Sequence, residues 1–146
     1  MGVALAFRLA QEGAVQLRPY IRDGELAMAR DTGDLLQGTL GLLILKALAH
    51  EDRHGYGIAR WIEASTGDVI RIEEGSLYPA LRRLEDRGFI ESRWGLSEHN
   101  RRARFYAIKR SGERHLEVQG GSWTRFARAV LLVLEAEPAV VGGVGR

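Results

Sequence analysis

The sequence predicts a mainly α fold carrying one small β-hairpin, an α+β arrangement, on three observations. First, residues 73–88 place Leu77, Ala80, Leu81 and Leu84 on one helical face and Tyr78, Pro79, Arg82, Arg83 and Asp86 on the other. Second, residues 89–94 and 103–108 are rich in aromatic and β-branched side chains and are joined by the turn-forming stretch 95–102, the pattern of a hairpin. Third, Trp123, Phe126, Ala127, Val130, Val133 and Leu134 recur at three- and four-residue spacing near the end of the chain. A short helix docked by its inner face and followed by a basic two-stranded ribbon is the layout of a winged helix-turn-helix, whose second helix enters the DNA major groove. The long last helix then supplies a dimerisation surface.

Taken in order, residues 1–34 show no sustained period and read as a poorly ordered N-terminal extension, with Met28 offering a second start. Residues 35–108 make up the expected winged-helix domain. Within it, 35–49 repeat Leu36, Leu40, Leu43, Ile44, Ala47 and Leu48 at helical spacing, with Leu42 and Leu45 widening the stripe. Gly38 and Gly41 each cost a helix about 1 kcal/mol relative to Ala, which suggests close approach of another helix. His54-Gly55-Tyr56-Gly57 reads as a turn into a second helix over 58–64, with Ile58, Ile62 and Trp61 on or beside one face. Residues 69–72 can lie beside the wing as a third strand. Ser76 is the expected N-cap of the next helix, placing Pro79 in its first turn, and Gly88 stops it. Residues 109–136 form the last helix, with Gly120-Gly121 expected to weaken or kink it, and 137–146 form a flexible tail.

Composition bounds the function. A chain of 146 residues suits one modest domain, and without cysteine it has neither disulfides nor thiolate metal sites. The net charge is only +2, although all but two of the 21 basic residues are Arg, so clustering rather than total charge must carry any argument for nucleic acid. The longest apolar runs fall far short of the roughly 20 residues of a membrane span. The first ten residues lack a basic segment ahead of their apolar part, which argues against a signal peptide, and a cytoplasmic protein is the expectation. No phosphate loop, nucleophile elbow or set of base and orienter is present, so no enzyme and no cofactor is expected. His50 and His54 stand four apart, but Glu-Asp-Arg between them reads as a turn, and the pair is not taken as a metal site.

Five motifs resemble the signatures of the PadR family of bacterial transcriptional regulators in sequence and spacing. They are Leu-Leu-Gln-Gly-Thr-Leu (35–40), His-Gly-Tyr-Gly-Ile (54–58), Glu-Glu-Gly-Ser-Leu-Tyr-Pro-Ala-Leu (73–81), Leu-Glu-Asp-Arg-Gly-Phe-Ile (84–90) and Asn-Arg-Arg-Ala-Arg-Phe-Tyr (100–106). The resemblance covers residues 35–135, in the short form with a single C-terminal dimerisation helix. It implies a homodimer paired through that helix, often repressing detoxification or efflux genes until a small molecule intervenes. Some multidrug-sensing relatives sandwich flat drugs with a tryptophan on this helix, which would be Trp123 here. Two features depart from the family pattern. Lys109 stands where a Ser or Thr cap is usual, and the N-terminal extension is not required.

The candidate DNA contacts are therefore Ser76, Tyr78, Arg82 and Arg83 on the helix and Arg101, Arg102 and Arg104 on the wing. Arg can bridge guanine O6 and N7, while Ser and Tyr donate to phosphate oxygens. The bland alternative is a solvated face whose arginines pair with Glu85 and Asp86. Glu73 and Glu74 read as structural, favouring the positive end of the helix dipole. Trp123, Phe126, Val130, Val133 and Leu134 are candidates for the dimer interface or for contact with a small aromatic effector, against the alternative that they form intramolecular core. The leading expectation is a homodimeric repressor of an inverted-repeat operator. The competing one is a winged-helix protein-interaction module that does not read DNA.

Overall fold

The computed structural model describes residues 39–138; the N-terminal extension, the expected helix start with Leu36 and Gly38, and nearly all of the expected tail lie outside them. The elements run α1 (Leu40–Leu48), β1 (Arg53–His54), α2 (Gly55–Ser65), α3 (Glu74–Asp86), β2 (Ile90–Leu96), β3 (Arg102–Ile108) and α4 (Arg110–Leu134). Ile44, Leu45 and Leu48 from α1, Ile58 and Ile62 from α2, and Leu81 from α3 form the fully buried centre, with Tyr106 and Ile90 closing it from the hairpin.

The helical stripes bury as their spacing predicts. On α1, Leu40, Ile44, Leu45, Ala47 and Leu48 are buried, and on α3 Leu77, Ala80, Leu81 and Leu84. Gly41 faces α3, but a Cβ there would sit 3.6 Å from Leu84 Cδ2, an ordinary contact. The helices meet without requiring a glycine.

Helix α2 begins earlier than expected. The His54-Gly-Tyr-Gly stretch is its cap and first turn, because the His54 imidazole Nδ1 accepts a 2.9 Å bond from the Gly57 N–H. At its other end Thr66 Oγ1 accepts from the Ile70 N–H (3.1 Å), and the Glu63 carboxylate accepts from the Ile72 N–H (3.4 Å). The Glu63 side chain of α2 and that of its C-cap Thr66 thus take two of the donors that a strand over 69–72 would have offered to a sheet, and that stretch is not a strand. Ile70 and Ile72 pack on the core instead. The third strand is β1, which pairs Arg53 with Tyr106 and His54 with Phe105, giving the order β1-β3-β2.

Helix α3 also starts before its expected cap. Glu73 occupies the N-cap position without a side-chain bond, and Ser76 lies inside the first turn, its N–H bonded to the Glu73 carbonyl at 3.0 Å. Pro79 therefore stands in the helix interior and leaves the Gly75 carbonyl without its usual donor. Both residues are exposed, so water can take that place. At the far end Gly88 (φ 75°) is left-handed, its N–H bonds the Glu85 carbonyl (2.9 Å), and the Phe89 N–H bonds that of Leu84 (3.0 Å), the two bonds of a Schellman stop.

The hairpin is longer and its loop shorter than the sequence pattern suggests. Strands β2 and β3 pair from Ile90–Ile108 out to Leu96–Arg102, leaving residues 97–101 as the tip. Helix α4 follows directly from Lys109, which supplies no side-chain cap. It runs unbroken through Gly120-Gly121, because a glycine pair lowers helix propensity without removing a backbone donor. Its base is bolted to the end of α3. The Lys109 N–H bonds the Phe89 carbonyl (2.9 Å), Ser111 Oγ donates to the Gly88 carbonyl (2.6 Å), and a Cβ on Gly112 would overlap the Phe89 carbonyl oxygen.

Candidate nucleic-acid interface

The outward face of α3 is open along its length. Ser76, Tyr78, Pro79, Arg82, Arg83 and Asp86 are all exposed. Arg82 and Arg83 make no ion pair among the described residues, and Glu85, a partner the sequence offered them, pairs across the domain with Arg104 at 3.3 Å. The guanidinium groups are thus free to meet an anionic ligand. Tyr78 is different. Its ring rests against the start of α2, where a Cβ on Gly55 would lie 3.0 Å from the phenol oxygen. Gly55 makes room for the ring, and the ring's position is set by two helices at once.

The wing arginines divide into three situations. Arg101 is exposed in the tip, and its side chain has no partner among the described residues. Arg102 stacks over the Trp94 ring, 4.6 Å from the centroid. Arg104 donates to Ser92 Oγ (2.7 Å) and to the Glu85 carboxylate (3.3 Å), tying the hairpin to α3. A pair this exposed contributes about 0–1 kcal/mol, so a phosphate could replace the carboxylate at little cost. Arg93, on the opposite face of β2, pairs with Asp52 at 3.2 Å and lies over Phe105.

Between the hairpin and the start of α2 runs an open cleft of about 1060 Å³, lined on one side by Tyr56, Arg60 and Trp61 and on the other by Trp94, Arg102 and Arg104, with Tyr78 among its lining residues. Sequence reasoning missed Tyr56, Arg60 and Trp94. The available signal for Trp94 was its alternation with Leu96, two large apolar residues on one face of a ribbon that extends past its core. Tyr56 and Arg60, four apart on α2, share a helix face that a turn at 54–57 concealed. Beneath the cleft, burial pushes the Tyr106 phenol above its ordinary value, Arg104 opposes this, and Glu85 and Tyr78 add to the rise. Among the described residues no three His, Cys, Asp or Glu side chains gather to hold a metal ion.

The second exposed surface is the outer half of α4. Leu116 near its base packs on the core, but Trp123 (44 % exposed), Phe126 (60 %), Val130 (39 %), Val133 (75 %) and Leu134 (75 %) do not. These residues are not core of their own described domain. The rings of Trp123 and Phe126 lie 5.8 Å apart at 37°.

Residues 44–118 match the family described as transcriptional regulator PadR-like. The chain belongs to that family. It is similar to the solved structure of a PadR family transcriptional regulator from Eggerthella lenta (30 % identity, 75 % of this chain and 93 % of that one, TM-score 0.60) and to a transcriptional regulator from Clostridium thermocellum (30 %, 66 % and 94 %, TM-score 0.60). It is also similar to a PadR-like transcriptional regulator from Bacillus cereus (27 %, 71 % and 99 %, TM-score 0.62). The winged helix and the role of transcriptional regulator rather than enzyme follow for this PadR-like chain. Among its described residues no helix is long and apolar enough to cross a membrane.

Proposed function

We propose that this PadR-like regulator is a homodimeric repressor that binds an inverted-repeat operator in double-stranded DNA and is released by a small aromatic molecule. The observation that carries the reading is the outward face of α3, where Arg82 and Arg83 project without ion-pair partners among the described residues beside an exposed Ser76 and a positioned Tyr78. That face supplies base and phosphate donors on a helix of the right size for a major groove, and Arg101 and Arg102 supply charge for the neighbouring phosphates. The exposed apolar stripe on α4 supports the dimer, since a two-fold contact would bury it. The tilted Trp123–Phe126 pair supports a flat effector at the same helix. Residues 39–108 act as the reading head and α4 as the coupling arm.

Random-site selection with the purified protein tests the reading and supplies the operator. The expected result is an enriched inverted repeat bound with an affinity that falls steeply with salt, as counterions return to the phosphates. A protein-interaction module would instead enrich no sequence.

A further inference from the structure

The wing carries an apolar face that the core does not use. Directly paired residues point to the same side of a sheet, so the pairs Trp94–Arg104 and Leu96–Arg102 put these four side chains together. The pair Ser92–Tyr106 lies on that side too, and Tyr106 is buried. The face that covers the core at the base of the hairpin therefore continues outward beyond it. There Trp94 is 60 % exposed and Leu96 66 %, and both line the open cleft toward α2 without being packed into the core.

The backbone beyond Leu96 and the ring of Trp94 are each tied down. Leu96 is the last residue of β2, and the tip beyond it is closed by bonds from the Ser97 N–H to the Arg101 carbonyl (2.8 Å) and from the Asn100 N–H to the Ser97 carbonyl (2.9 Å). Ser97 Oγ also accepts from the Arg101 N–H at 3.3 Å, and Asn100 takes the left-handed turn at φ 57°. The guanidinium of Arg102 over Trp94 fixes the indole from the neighbouring strand. A stiff ribbon thus presents two apolar side chains, flanked by the cations of Arg101 and Arg102.

The geometry points to Leu96, backed by Trp94, as an apolar wedge that presses between two base pairs in the minor groove next to the major groove entered by α3. This rests on the DNA-binding reading above and adds to it a mode of recognition. Charge complementarity selects the occupant, because the flanking arginines would meet the phosphates on either side of the opened step. Wedges of this kind unstack a step and bend the duplex toward the major groove, here toward α3. Pyrimidine–purine steps open most easily, so the wing would confer a preference for such a step without bonding to either base.

The test uses the full-length protein on its selected operator, with 2-aminopurine placed in turn at each step flanking the α3 contacts and a dye at each end of the duplex. The wild type should brighten 2-aminopurine at one step per half-site and shorten the end-to-end distance. Leu96→Ala, an exposed change that spares the core, should abolish both signals and weaken binding about tenfold or more, the worth of burying a Leu side chain. Its slope of log affinity against log salt should match the wild type, since an apolar contact releases no counterion, whereas Arg101→Ala should lower that slope by about one. A wild type that binds with no unstacked step, or a Leu96→Ala protein that still unstacks and bends, overturns the wedge and leaves the DNA-binding reading intact. Loss of self-association in Leu96→Ala, with DNA bending unchanged, would overturn it in favour of a contact between two copies. A wild type that selects no sequence and shows no salt-dependent binding overturns both readings.

Discussion

Tyr78 and Leu81 are three residues apart on one helix and should fail in opposite ways. Tyr78 is half exposed and its ring already packs on Gly55, so Tyr78→Phe keeps the packing and removes only the hydroxyl. Combined with Arg82→Ala, which removes an exposed guanidinium, it should weaken operator binding by about tenfold or more while leaving the melting temperature within a few degrees. An electrophoretic titration beside a thermal melt reads both; normal affinity in the double variant would sink the assignment of this face. Leu81 is 1 % exposed, so Leu81→Ala should cost about 2–5 kcal/mol in chemical denaturation. Tyr106 adds a pH dependence. Its phenol titrates above the ordinary value in the folded chain, chiefly because it is buried. Unfolding lets it ionise near pH 10, so its contribution to stability is intact below that pH and is lost as pH rises toward and through the raised folded value. Denaturant midpoints from about pH 9 upward should fall more steeply for the wild type than for Tyr106→Phe. At this scale the apolar residues of α3 were legible because burial repeats with the helix period. The cap was not, because Ser76 has the chemistry of a cap but Glu73 has the backbone position.

The joint between α3 and α4 links the proposed reading helix to α4. Gly88 stops α3 in a left-handed turn, and the next carbonyl, that of Phe89, receives the Lys109 N–H while Gly112 presses against it. Backbone rather than a flexible side chain occupies the space a Cβ would need, so Gly112→Ala must push α4 away from the hairpin base. The His115 ring, stacked on Phe89 at 4.3 Å, would be displaced with it. The expected outcome is a loss of stability of about 1–3 kcal/mol, the usual range for overpacking. Operator affinity should fall further than Leu116→Val, a mild core change of similar size, would cause. Equal effects of the two on DNA binding at matched stability would show that the joint does not transmit orientation. None of this contact was legible in the sequence. Gly112 lies in a helical stretch where a glycine reads as a small propensity loss, and only the fold brings Phe89 beside it. The two-residue β1 escaped notice for a related reason, since Arg53-His54 is too short to show any period, whereas 69–72 has strand composition but spends its donors on Thr66 and Glu63.

For the whole molecule, the order of helices and hairpin was legible, because each element has its own hydrophobic stripe and its own stop. How the arm relates to a second copy lies outside a single chain's core, and the exposed stripe on α4 is the feature that bears on it. Trp123, Phe126, Val130, Val133 and Leu134 share one helix face, and all are exposed here. So much apolar surface on one terminal helix is costly to leave in water, and a self-complementary contact would cover it. Such a dimer would set two α3 helices about one DNA turn apart, roughly 34–36 Å or a multiple, and so fix the spacing of the half-sites. A ligand at Trp123 would regulate binding only by favouring one dimer shape over another, through a difference in its affinity for the two. Truncation before Gly121 removes the stripe and keeps Gly112, Leu116 and the joint. The truncated protein should sediment as a monomer and bind the full operator at least a hundredfold more weakly, because the second half-site no longer adds its effective concentration. Its binding to a single half-site should match that of the intact chain. A truncated protein that stays dimeric with unchanged operator affinity would remove α4 as the dimerisation element, and with it the route from effector to DNA.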